Sequence, residues 1–356
     1  MKKVYVHAYC RQNLGDDLFI KILVRRYPDV HFRINAPEEY RKAFLDEKNV
    51  SFPHTQRRKL FQSWLAEQLI ATVCYSAYVK IGGSIFMEPH NWKVKKPYPQ
   101  WLRKRMNRKK YVIGANFGPY YTPEFLEFAR ANLSNYAGVC FRDQYSYQLF
   151  ENKKKIRYAP DVLFGYHLLS KPCRGKGVGI SVVAMEKKMD VDQYAPIYYH
   201  TLAQVCDELI RDGVPVCLFA FCKAEGDVQA IQTILKQMDT PEKVEVCTYQ
   251  GDSEAFLDRL NDCQQIIATR FHAIILGYLM QKPVFPIIYS PKQTHVLNDL
   301  NMKTGWNLYA GEMMTATAIV AECLDCSTIS KEKIAQLEKD AQAQFYFLDN
   351  FLRKLY

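Results

Sequence analysis

The chain has 356 residues, of which 48% are hydrophobic and 24% charged, and it carries a net charge of +11. That length is more than one hydrophobic core usually serves and predicts two domains, while the apolar content excludes a disordered chain. No apolar run reaches membrane-spanning length, so any membrane contact is expected to be peripheral, and the positive charge predicts an anionic partner.

Within the opening MKKVYVHAYC, residues 3–8 alternate β-branched and aromatic residues and predict a first strand; the apolar run is too short for a signal peptide. Asn13-Leu14-Gly15-Asp16-Asp17 follows and leads into a helix reaching about Tyr27. Gly15 permits a tight turn there, and one aspartate suffices to cap the helix. The second carboxylate beside a glycine at a strand's carboxyl end marks Asp16 and Asp17 as candidate functional groups. Residues 30–35 predict a second strand, and residues 57–71 an amphipathic helix with basic residues at its start. Residues 76–81 predict a strand that ends in Gly82-Gly83-Ser84. A glycine pair after a strand lets a ligand approach the backbone closely, but it is no dinucleotide or Walker fingerprint.

The stretch from Asn91 to Lys110 holds many basic residues, no acidic ones, and Trp92, Tyr98 and Trp101. A charge run is most often a solvated face; interleaved aromatics also suit the surface of an anionic membrane. Residues 111–116 predict a buried strand ending at Asn116, and residues 138–141 another that leads into Arg142-Asp143. Ala159-Pro160-Asp161 is a turn after a further short strand. Strand and helix thus alternate through residues 1–168, as in a doubly wound parallel sheet.

Residues 166–176 carry Pro, Gly and basic residues and predict a linker. A second alternation occupies residues 177–328, with a strand over 214–221 ending near Lys223, Glu225 and Asp227. Residues 329–356 predict one long helix whose late aromatics pack on the first domain. The expected fold is therefore α/β: two Rossmann-like doubly wound domains facing a cleft, GT-B-like, with a long C-terminal helix. Eleven cysteines lack framework spacing, a reduced and cytoplasmic pattern, and the lone pair Cys323 and Cys326 is a weak basis for zinc or redox chemistry. No metal-ligand cluster is visible, and no cofactor is expected.

The most informative stretch is ATRFHAIILGYLMQKPVFPIIYSPK, residues 268–292. It reads as a strand end, a turn, a helix, a second strand and a loop. Arg270 and His272 fall at the helix start, where free N–H groups and partial positive charge gather, and Lys292 follows the next strand. Together they form an anion site at the carboxyl ends of a parallel sheet. The plainer reading is that Arg270 and Lys292 are surface charges and His272 a cap.

On these motifs the chain resembles the polysaccharide pyruvyl transferases over nearly its whole length. The resemblance rests on Asn13 to Asp17, Ile81-Gly82-Gly83-Ser84, Arg142-Asp143 with Ser146, and Ala159-Pro160-Asp161. Above all it rests on Arg270-Phe271-His272-Ala273 with Lys282-Pro283, Tyr289 and Lys292. Many relatives have a third glycine where Ser84 stands. The resemblance implies phosphoenolpyruvate as donor and a sugar of a cell-surface glycan as acceptor, often lipid-linked. It implies Arg142, His272 and Lys292 as donor-binding positions and Asp16 on the acceptor side, with Asn13, Gly15, Gly82, Gly83, Ser84 and Asn116 in the loops around them. Arg270 is either a fourth donor cation or a structural partner of a carboxylate in the second domain. His272 is the expected general acid and Asp16 or Asp17 the base. A peripheral position on the cytoplasmic face of the membrane is expected, with residues 91–110 as the dock. The rival reading is a nucleotide-sugar glycosyltransferase of the same architecture, with Glu254 holding a ribose. A nucleic-acid binder would need a recognition motif that the chain lacks.

Overall fold

The computed structural model describes residues 2–53, 70–90, 92, 105, 107, 109–151, 154–170, 173–303 and 305–354. Two compact units divide it. The first holds residues 1–10, 16–165 and 338–356; the second holds residues 11–15 and 166–337. Most of the predicted helix at 57–71 and most of the basic stretch from Asn91 to Lys110 lie outside the described residues.

The first unit is built on strands β1 (Lys2–His7), β2 (Val30–Ile34), β3 (Val50–Ser51), β4 (Ala77–Ile81), β5 (Lys110–Ala115), β6 (Gly138–Phe141) and β7 (Ile156–Tyr158). They pair in the order β3-β2-β1-β4-β5-β6-β7, every pairing parallel. A parallel sheet is covered on both faces, and β5 and β6 are accordingly buried at every residue. Helix α1 (Leu14–Arg26) follows β1, α2 (Pro123–Leu133) follows β5, and α3 (Gln144–Gln148) follows β6. Local chemistry starts the last two. Thr122 accepts a hydrogen bond from the Phe125 N–H with Pro123 in the first turn, and Asp143 accepts one from the Ser146 N–H at 2.7 Å.

The second unit repeats the plan with β8 (Val178–Ser181), β9 (Val216–Ala220), β10 (Glu245–Thr248), β11 (Gln265–Ala268), β12 (Val284–Ile288) and β13 (Trp306–Asn307). Their order is β10-β9-β8-β11-β12-β13, again all parallel. Helices α4 (Ala195–Arg211), α5 (Asp227–Leu235), α6 (Ser253–Asn261), α7 (Phe271–Leu279), α8 (Pro291–Asp299) and α9 (Ala316–Leu324) alternate with the strands. One core binds sheet to helices, with Ile180, Leu202, Leu218, Ile267, Ile287 and Trp306 all fully buried. Both sheets are doubly wound, and each reverses its order beside its first strand, between β1 and β4 and between β8 and β11. Ligands of such sheets bind at the carboxyl ends there.

The segment read as a linker is fastened to the second unit. The buried Tyr166 donates to Glu254 at 2.7 Å, and the Lys282 ammonium donates to the Cys173 carbonyl at 2.6 Å.

The predicted single terminal helix is interrupted. After α10 (Lys331–Ala341) the backbone tightens into a 3-10 turn over Gln342–Phe345 before α11 (Tyr346–Arg353). The break turns the Gln344 side chain inward, where it is 2% exposed. Its Oε1 accepts from the Gly114 N–H at 2.9 Å, and its Nε2 donates to the carbonyls of Phe141, Ala159 and Pro160 at 3.2, 2.7 and 3.0 Å. A buried amide that satisfies four backbone groups sets the local geometry more strongly than helix propensity does. Gln344→Leu leaves those groups unpaired and is expected to destabilise the first unit by roughly 1–3 kcal/mol. Faster amide hydrogen exchange at Gly114, with β11 amides unchanged, is the readout.

Candidate functional site

In the second unit Arg270 ends the turn after β11 and occupies the N-cap of α7. Its N–H donates to Ser181 Oγ at 3.1 Å, which joins the carboxyl ends of β11 and β8. The side chain is 6% exposed and fully engaged by carboxylates. Nε donates to Asp227 Oδ2 at 3.0 Å, Nη2 to Asp227 Oδ1, and Nη1 to Glu225 Oε2 at 2.7 Å. Burial opposes the guanidinium charge, but the two carboxylates outweigh it and raise its pKa. Burial likewise opposes the Glu225 charge, and Arg270 with Lys188 hold that carboxyl well below its ordinary value. Removing one partner of such a buried pair typically costs about 3–5 kcal/mol. Of the two alternatives read for Arg270, this geometry is the structural one.

His272, one residue inside α7, lies where the backbone of Gly15 comes closest: a methyl group at Gly15 would overlap the imidazole. Residues 11–15, although distant in sequence, form part of this unit. Asn13 bridges to Cys222, the Leu14 N–H donates to the Phe221 carbonyl at 3.2 Å, and Asn13 Nδ2 donates to Glu225 Oε1 at 3.2 Å. Lys292 stands in the first turn of α8, with its ammonium 5.5 Å from the centre of the Tyr289 ring. The neighbouring Gln293 is 1% exposed and fixes that turn. Its Oε1 accepts from the Tyr289 N–H at 2.9 Å and its Nε2 donates to the Thr269 carbonyl at 2.9 Å, so the ends of β11 and β12 are tied together.

In the first unit the predicted residues gather around the ends of β4, β5 and β6. Gly82 has φ +144°, and a methyl group there would meet Asp16 Oδ1 at 3.5 Å. Arg142 is 3% exposed and lies flat against Gly83, where a methyl group would be 2.6 Å from its Cζ. Its Nη1 donates to Asp161 Oδ2 at 3.0 Å and its Nη2 to Asn116 Oδ1 at 2.8 Å. Burial pushes the Asp161 carboxyl upward, against the pull of Arg142 and of the Leu163 N–H. The Asn116 N–H donates to the Gly83 carbonyl at 2.9 Å, which locks the glycine loop, and Ser84 follows half-buried. The two aspartates separate. Asp17 is wholly buried and accepts from the Tyr40 hydroxyl, whereas Asp16 faces Gly82.

Sequence reasoning passed over Asp161 as the partner of Arg142, Glu225 and Asp227 as the partners of Arg270, and Gln293. Charge type was the available signal for the first three; Gln293 had none beyond its place after Lys292.

The family model for polysaccharide pyruvyl transferase matches residues 13–291. The chain belongs to that family. No curated protein sequence matches it. Among solved structures it is similar in fold to UDP-GlcNAc 2-epimerase from Methanocaldococcus jannaschii, with a TM-score of 0.56 at 8% identity over 93% of this chain and 94% of that one. It is similar also to HepE of Anabaena, solved with UDP-glucose, with a TM-score of 0.57 at 13% identity over 100% of this chain and 99% of that one. Those likenesses establish a GT-B-like α/β fold. Among the described residues of this polysaccharide pyruvyl transferase, no helix is long and apolar enough to cross a membrane.

Gly15→Ala places a methyl group against the His272 ring and forces it aside. A displacement of about 1 Å within an active site can cost about 10²-fold in rate, and pyruvyl transfer is expected to fall by that order. A shift of the His272 imidazole resonances, with the rest of the spectrum retained, is the accompanying sign.

Proposed function

We propose that this protein takes the pyruvyl group of phosphoenolpyruvate and closes it as a ketal across two hydroxyls of a sugar, on a lipid-linked precursor of a cell-surface polysaccharide. The observation that carries the reading is the arrangement at α7 and α8. Arg270 is held by its two carboxylates, and the phosphate is assigned to His272 at the N-terminus of α7 and to Lys292 in the first turn of α8. Arg142 is the donor cation assigned in the first unit, oriented in advance by Asp161 and Asn116.

His272 gives its proton to the methylene carbon, which becomes the methyl group. The first sugar hydroxyl bonds to the neighbouring carbon, and the C–O bond to phosphate breaks with its electron pair leaving on phosphate. The second hydroxyl then closes the ring. Of the two protons the hydroxyls release, one restores His272 and the other leaves on hydrogen phosphate. Asp16 is the base for the first hydroxyl, because Asp17 is committed to Tyr40. Glu254 is engaged by Tyr166, which weighs against its holding a ribose.

His272→Ala is expected to lower acceptor-dependent phosphate release by ~10²–10⁴-fold, the usual contribution of a positioned acid, and Arg142→Ala to abolish it. Lys292→Ala raises the donor KM with kcat retained. Wild-type turnover in the first two variants overturns the assignment. Thermal stabilisation by UDP-glucose with none by phosphoenolpyruvate would favour a nucleotide-sugar glycosyltransferase instead.

The basic aromatic stretch from Asn91 to Lys110 supports a peripheral dock on an anionic leaflet, at about 1 kcal/mol per basic residue near the surface. Co-sedimentation with phosphatidylserine vesicles at low salt, lost at high salt, is expected. Equal recovery with neutral vesicles counts against the dock.

A further inference from the structure

Among the described residues of the first unit, eight large apolar side chains are exposed, and four of them gather at one corner: Met87 at 50%, Tyr121 at 59%, Phe128 at 37% and Tyr145 at 39%. The corner lies beyond the carboxyl ends of β4 and β5. The chain leaving Gly82-Gly83-Ser84 runs beside the chain leaving β5. Phe86 bridges to Phe117, the Gly118 N–H donates to the Phe86 carbonyl at 2.9 Å, and the Glu88 N–H donates to the Pro119 carbonyl at 2.9 Å. Glu88 then fastens the rim. Its carboxylate accepts from the Trp92 indole N–H at 2.6 Å, from the Tyr121 N–H at 2.6 Å, and from the N–H and hydroxyl of Thr122 at 2.9 and 2.7 Å. Trp92 packs on Phe125 and Phe128 with ring centres 5.4 and 5.6 Å apart, and Tyr145 lies beside Tyr120.

We propose that this rim enters the headgroup region of an anionic phospholipid membrane, with Met87 and Tyr121 inserted, and so holds the acceptor side of the first unit against the lipid surface. The inference rests on the peripheral dock proposed above and adds to it the side chains that touch lipid. Charge complementarity names the partner. The chain that leaves Trp92 carries seven Lys and Arg and no Asp or Glu over residues 93–108. The acidic groups near the rim are fewer: Glu88 is satisfied by four donors, Glu127 pairs with Arg130 at 2.6 Å, and Glu124 sits in the first turn of α2, where a carboxylate answers the helix dipole. An anionic leaflet attracts that cationic surplus.

The kind of side chain supports it second. Apolar groups exposed together beside a cationic stretch mark an interaction surface rather than the scattered exposure of an ordinary one. Tyr and Trp have an apolar body and a polar tip, which suits them to the headgroup level of a bilayer. Because Glu88 already fixes the loop, insertion orders few new groups. The position of the rim gives the contact a use. Its loop begins at Gly82 and Gly83, against which Asp16 and Arg142 lie, and Met87 is only four residues beyond Gly83. Seating the rim on lipid brings those groups close to the surface that presents a lipid-linked sugar.

The test uses the full chain and mixed phosphatidylserine–phosphatidylcholine vesicles. The double variant Met87→Ser, Tyr121→Ser removes apolar surface from exposed positions and is expected to bind them about tenfold or more weakly, at the melting temperature of wild type. Met87→Trp is expected to add a fluorescence that shifts to the blue on the vesicles and is quenched by brominated acyl chains. Leu45→Trp, at a site 73% exposed elsewhere in the same unit, is the control and stays unquenched. In the transfer assay the double variant raises the KM for a lipid-linked acceptor in vesicles and leaves that for its water-soluble counterpart unchanged. Vesicle affinity equal to wild type in the double variant, or no quenching at Met87→Trp, overturns the inference and leaves the dock of residues 91–110 standing. An equal rise in KM for the soluble acceptor assigns the rim to the sugar and overturns it too. No binding of the wild-type chain to the vesicles at low salt fails the dock itself and removes this inference with it.

Discussion

The buried pairing of Arg270 with Asp227 and Glu225 is the interaction on which the second unit's working end depends. Arginine offers a planar fork that can engage two carboxylates at once, a geometry lysine cannot supply. Here the fork joins the start of α5 to the start of α7, and its backbone N–H joins β11 to β8. Glu225 extends the same joint to Lys188 and to Asn13. One charge cluster therefore fixes the helix that bears His272 and the loop that carries the Asn-Leu-Gly motif. The arginine of the Arg-Phe-His motif serves architecture.

A second constraint recurs in both units: a functional side chain lies directly on a glycine. His272 covers Gly15, Arg142 covers Gly83, and Asp16 stands over Gly82. At Gly15 and Gly83 the missing Cβ is what admits the imidazole and the guanidinium to the backbone, while at Gly82 the carboxylate stands at ordinary contact distance and the positive φ is what calls for glycine. The glycines of the two motifs thus act by shape, holding polar side chains at the carboxyl ends of parallel strands. With side chains positioned in this way, little of a ligand's binding energy is spent on ordering them.

Much of this architecture was legible in the chain. Near-continuous apolar runs such as Val216–Ala220, spaced by amphipathic helices and turn residues, announce parallel strands, and the glycine and charge motifs fall at their carboxyl ends. What escaped the reading are pairings across long sequence separations. Arg270 and Asp227 are 43 residues apart, and nothing in local periodicity links them. Residues 11–15 read as the turn from the first strand into the first helix of the first domain, yet they belong to the second unit because their backbone pairs with Phe221 and Cys222. The terminal helix reads as continuous because its apolar spacing is sound; the inward pull on Gln344 comes from three distant carbonyls, one at the end of β6 and two in the Ala159-Pro160 turn. Lys188 sits in a run of polar residues, Glu186-Lys187-Lys188, that by itself describes a solvated surface.

The Gln344 clasp bears also on how the protein is assembled. The first sheet receives its last supports, Gln344 at β5 and Phe347 against Gly138, from a segment translated after the whole second unit. On the ribosome the earlier-made sheet must wait, with β5 and β6 incompletely covered, while the later-made one can close at once. Chaperone engagement, proteolytic nicking and the penalty for stalled translation should therefore concentrate on the amino-terminal half, although it emerges first.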